Sequence, residues 1–65
     1  MATVGELLDV VKKRNAVIDS AYREKHKEWS TVIHIPGLPK LFWGLGITEG
    51  ESLADSLKQF EKSGK

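Results

Sequence analysis

The chain has no cysteine and only two prolines in 65 residues. The first absence excludes disulfides and thiolate metal sites and leaves the redox compartment open. A long apolar run is missing too. The longest uncharged stretch, Trp29 to Pro39, contains Ser30, Thr31, His34 and both prolines, and it falls short of the roughly 20 apolar residues that a spanning helix needs. The opening residues MATVGELLDVV lack the basic region and continuous apolar stretch of a secretory signal, so a cytoplasmic location is expected.

Nor is there an excess of one charge. Ten Lys and Arg stand against nine Asp and Glu; residues 1–29 carry six basic and five acidic side chains, and residues 30–65 carry four of each. That balance gives no electrostatic reason to expect a nucleic acid as partner.

What is present is 40% hydrophobic and 29% charged residues, the composition of one small globular domain spanning 1–65. Ordering it costs on the order of 100 kcal/mol, at about 1.5 kcal/mol per residue, which so small a core barely offsets. Chains of this size often gain the missing stability from a metal, a disulfide or a partner subunit.

Periodicity predicts an all-α fold. Thr3 followed by Glu6 forms a capping box, and no Pro or Gly interrupts the good helix formers between Glu6 and Trp29, so one long N-terminal helix is expected. Val4, Leu7, Leu8, Val11, Ile18, Tyr22 and Trp29 share one face of it, widened by Val10, Val17 and Ala21. The β-branched STVIHI stretch, residues 30–35, reads as an extended linker ended by Pro36-Gly37. Pro39 then opens a short helical turn with Leu38, Leu41, Phe42 and Leu45 at helical spacing, closed by Gly44 or Gly46. Thr48 with Glu51 is a second capping box, opening a shorter C-terminal helix to about Lys62 with Leu53, Leu57 and Phe60 as its core face.

This arrangement poses a problem of lengths. An unbroken helix of about 25 residues is roughly 38 Å long, against roughly 21 Å for a final helix of about 14. Either the segment IPGLPKLFWGLGI, residues 35–47, folds back over the uncovered apolar stripe or another chain does. In that picture Leu38, Leu41, Phe42 and Leu45 form a lid on the core. Trp43 projects from the opposite side of the turn as an anchor for a partner.

No motif specifies a chemistry. In GLGITEG, Gly44 and Gly46 are followed by Glu49 where a dinucleotide fingerprint wants its third glycine, and Glu49 and Glu51 occupy the helix N-terminus that a phosphate would need. His26 has no second histidine one turn away, and His34 stands alone in an apolar stretch, so no metal site is expected. A triad around His34 with Ser30 or Thr31 lacks an orienting acid and a pocket. Lys12, Lys13, Arg14, Arg23, Lys25 and Lys27 interleave with acids and form no basic stripe. Arg14, Lys25 and Asn15 near the apolar stripe suggest register-setting polar positions in a helix–helix contact.

The expectation is therefore a non-enzymatic protein–protein interaction module without cofactor or metal. Self-association into a homo-oligomer comes first, and a small structural or accessory subunit of a larger assembly, a virion included, second. Its expected anchors are Ile18, Tyr22, Trp29, Phe42 and Trp43. The alternative is a peripheral membrane-surface binder using residues 38–47, for which Lys40 alone supplies basic charge.

Overall fold

The computed structural model describes residues 3–63. It contains a helix α1 (Val4–Lys13), three strands β1 (Val17–Arg23), β2 (Glu28–His34) and β3 (Leu41–Gly46), and a helix α2 (Glu49–Ser63). The strands form one antiparallel sheet in the order β1-β2-β3. Both helices contribute to a single core on one face of that sheet, where Leu7 and Val11 of α1 meet Leu57 of α2 and Ile33, Ile35 and Phe42 from the strands and their connection.

The all-α expectation is thus corrected to α+β, and the description of the molecule as helical falls with it. The first helix has 10 residues, about 15 Å, and the Cα radius of gyration is 11.4 Å. The problem of an overlong helix disappears. The expected helical turn at 38–45 is also absent, because Leu41–Gly46 is strand β3.

What ends α1 is Asn15. Its φ is 60°, the left-handed conformation that Asn tolerates better than most residues. Asn15 N–H donates to the Lys12 carbonyl at 3.0 Å and Ala16 N–H to the Val11 carbonyl at 3.1 Å, the paired bonds of a Schellman motif. Beyond it the apolar residues that fit a helical stripe fit an alternation equally well. In β2, Trp29, Thr31 and Ile33 point to the helices and Ser30, Val32 and His34 point away, a period of two. The turn joining β1 to β2, residues 24–27, carries neither Gly nor Pro; Lys27 takes the left-handed position instead, with φ 50°. That missing punctuation is why a hairpin read as helix.

Other expectations at the chain's ends agree with the elements found. Thr3 accepts from Glu6 N–H while the Glu6 carboxylate accepts from Thr3 N–H. Thr48 accepts from Glu51 N–H at 3.1 Å and starts α2. The connection Ile35 to Leu38 is a tight turn closed by Leu38 N–H to the Ile35 carbonyl at 3.0 Å, with Pro36 and then Gly37 at φ 90°, the residue order a type II turn requires.

Two glycines set how closely α2 approaches the sheet. A Cβ on Gly44 would overlap the Ser52 carbonyl and the Ser56 backbone nitrogen, and one on Gly46 would lie 2.6 Å from Ser52 N. The helix backbone therefore rests directly on β3, and Ser52 and Ser56, both fully buried, are the small residues that permit it.

Candidate functional site

With both helices on one side, the other face of the sheet is covered by no element among the described residues. Its side chains follow from the register. Val17, Asp19 and Ala21 on β1 lie beside His34, Val32 and Ser30 on β2, which lie beside Leu41, Trp43 and Leu45 on β3. Most of that face is apolar. Along β3 the stripe continues past the strand to Ile47, so that Leu41, Trp43, Leu45 and Ile47 are all exposed, Trp43 by 58% and Ile47 by 78%. An exposed apolar strip on an antiparallel sheet is informative, because such a face ordinarily carries polar residues.

The anchors expected from the sequence divide by face. Trp43 occupies the centre of the open strip, opposite Val32. Phe42, its neighbour, points the other way and is 3% exposed in the core, edge to face with Phe60 at 5.5 Å between centroids. Ile18 packs against the core from the helix side. Tyr22 and Trp29 are cross-strand partners at the far end of that same side, with ring centroids 5.6 Å apart; Tyr22 stays half exposed there. The structure therefore brings Tyr22 and Trp29 together and separates both from Trp43 by the thickness of the sheet.

Leu41, Leu45, Ile47, Val32 and Val17 belong to the open face and were not among the expected anchors. The signal for three of them was in LFWGLGI, residues 41–47, where large aliphatics and Trp alternate with Phe and two glycines. Helical spacing between Leu41 and Leu45 concealed it.

The outer edge of β3 is partly sealed. Leu45 N–H donates to Asp55 Oδ2 at 3.0 Å and Ile47 N–H donates to Glu51 Oε2 at 3.0 Å. Both acids lie on α2 and reach round the sheet edge. An edge strand otherwise presents unpaired amides to any passing chain. Glu51, expected to complete a capping box with Thr48, is committed to this contact.

Between the layers runs a line of hydroxyls. Ser52 donates to the Glu49 carbonyl at 2.8 Å, so its oxygen must accept from Thr31, 2.6 Å away. Thr31, having spent its one proton, accepts from Ser20 at 2.9 Å. A carbonyl at one end thus orients the whole chain, and Thr31 and Ser52 are buried without an unmet group. The residues are structural ties between β1, β2 and α2.

At the opposite end of the helix layer a cavity of about 350 Å³ opens between Arg14, Leu38, Phe42, Phe60 and Ser63. His26 lies in the exposed β1–β2 turn and His34 on the open face. Among the described residues no three His, Asp or Glu side chains converge as a metal site. No helix there is long and apolar enough to cross a membrane. Compared with protein-family models, curated proteins and solved structures, the chain matches none.

Proposed function

We propose that the chain is a non-enzymatic protein–protein interaction module whose docking surface is the open face of the sheet, centred on Trp43. One observation carries this reading: Leu41, Trp43, Leu45 and Ile47 form a continuous exposed strip, although the same chain fully buries a core on the other side. The core is complete without them. A side chain as large as Trp gains most from burial, and at interfaces Trp is the residue most enriched among energetic anchors.

A protein partner fits this strip better than a lipid surface. The strip is bordered at the β3 edge by Glu51 and Asp55 of the neighbouring helix, which anionic headgroups would repel, whereas an interfacial segment needs a basic rim. Self-association is the first contact to test. The protein is run by size exclusion with light scattering beside Trp43→Ser, a substitution that leaves the core untouched. The expected result is association in the wild type, loss of it in the variant, and an unchanged far-UV circular dichroism spectrum. Unfolding of the variant would make Trp43 a core residue and end the reading. A blue shift of Trp fluorescence appearing only with anionic vesicles would transfer the strip to membranes.

A further inference from the structure

We infer that the open half of the β3 edge pairs two copies of this chain about a two-fold axis, antiparallel, with Leu41 of each copy opposite Trp43 of the other. This names the partner for the interaction reading above and rests on it. The starting point is which amides are taken. Phe42, Gly44 and Gly46 face the same way along the ladder with β2, and Leu45 N–H leaves the sheet for Asp55. By strand alternation Leu41 and Trp43 also turn their N–H and C=O groups to the edge, and no partner meets them among the described residues.

The sealing of the edge stops because of one residue. α2 runs back along β3, so that Glu51 serves Ile47 and Asp55 serves Leu45. Four helix residues advance about 6 Å and two strand residues about 6.7 Å, so the next rung matches position 59 with Trp43. Position 59 is Gln59, without the charge of the two acids before it, and it makes no hydrogen bond to Trp43. Within Leu41–Gly46 there is also no charge, proline or bulge, the devices by which edge strands usually repel their like. The opposite edge, β1, carries Asp19 and Arg23.

A copy of the same strand fits this gap. Centred on Phe42, the pairing lets Leu41 and Trp43 of each copy exchange both main-chain bonds, about four N–H···O bonds in all. Leu45 then falls opposite the partner copy's Pro39, which has no N–H to offer, while the N–H of Leu45 is already held by Asp55. No donor is lost. Lys40 falls opposite the partner copy's Gly44, next to the Asp55 that caps Leu45 there, so opposite charges meet twice by symmetry. On the open face each Leu41 lies beside a Trp43, an apolar cross-strand pair. α2 packs on β2 as well as β3, and a second β3 one strand spacing away brings the last turns of the two copies of α2 side by side across the axis. The exposed Lys62 side chains near the axis turn to solvent, where salt screens them.

So short a pairing buries less than the roughly 1,200 Å² of a standard interface, so dimerisation is concentration-dependent. Light scattering from micromolar to millimolar concentration should show the mass climbing from 7.3 kDa towards twice that value. Gln59→Glu, which places a third carboxylate at Trp43 N–H, should hold it at the monomer without touching the open face. Lys40→Glu should weaken the dimer about tenfold by turning two attractive pairs repulsive. Amide exchange supplies an independent reading: the Leu41 and Trp43 amides should be protected in concentrated samples and exchange freely in dilute ones. A mass that stays monomeric up to millimolar concentration overturns the proposal. So does association that persists in Gln59→Glu with Leu41 and Trp43 amides in fast exchange. If that association is still abolished by Trp43→Ser, the open face remains a docking surface and the edge pairing alone has failed.

Discussion

Gly44 is the residue whose replacement the fold tolerates least. It sits on the helix side of β3, where any Cβ would lie inside the van der Waals envelope of the Ser52 and Ser56 backbones. Relief would need α2 to lift from the sheet, and that opens the contacts of Leu57 and Phe60 along with it. Gly44→Ala is expected to destabilise by about 3 kcal/mol or more, as overpacking against rigid backbone does, measured as a lower midpoint in urea. Asn15 is the second such position. With φ at 60°, Asn15→Ala should cost about 1 kcal/mol and Asn15→Gly close to nothing, because only the former pays the left-handed penalty for its Cβ. If both variants melt together, the left-handed stop of α1 is not what the residue supplies. Asn15 was also the most informative letter in the N-terminal half. It is the commonest stop for a helix after glycine, yet with the apolar stripe continuing beyond it at helical spacing the position reads as a polar site in a helix–helix contact.

At the scale of elements, the ends of the chain were legible and the middle was not. The capping box at Thr3 and the N-cap at Thr48 are local chemistry, in which a side chain satisfies an amide three residues away, and both mark true helix starts. Strands depend on partners far along the chain, and here the usual signs were suppressed. The turn at residues 24–27 uses Lys27 in the left-handed conformation where Gly or Asn is customary. The two glycines of β3, read as helix stops, instead admit the backbone of α2. Of the candidate site, Trp43 was recognised as exposed, but for a reason that belonged to a helical turn. The rest of the strip needed the register of three strands. The hydroxyl line that ties those strands to α2 makes a prediction of its own. Ser52→Ala lets the Thr31 hydroxyl turn its proton to Ser20, which is exposed enough to give its own to water, and should cost about 1 kcal/mol, whereas Thr31→Val breaks both bonds of the line and leaves the buried Ser52 oxygen without its donor, and should cost more, about 1–3 kcal/mol. Equal losses in chemical denaturation would mean that Ser20 does not take up the Thr31 proton.

For the molecule as a whole, size governs the outcome of any core change. At about 0.05–0.15 kcal/mol per residue, a chain of 65 residues has about 3–10 kcal/mol of stability to lose. Leu57 is fully buried where the two helices and the sheet meet, and truncating it removes contacts with all three. Leu57→Ala, at about 2–5 kcal/mol, is therefore expected to leave much of the population unfolded at 37 °C, visible as lost helical circular dichroism. A variant that melts near the wild type would show that the core can collapse around the gap.

The close seating of α2 on Gly44 and Gly46 also shapes the other end of the molecule. Serines and glycines lie between helix and sheet at one end, and Phe42 and Phe60 at the other, so the filling between the two layers grows from small to large along α2. The small-residue end is where acids from α2 can reach round to the β3 amides. The large-residue end is where the gap among Leu38, Phe42, Phe60 and Arg14 opens. Closure at one end and a hollow at the other thus follow one gradient of side-chain size, and a large residue in place of Gly44 would disturb both at once.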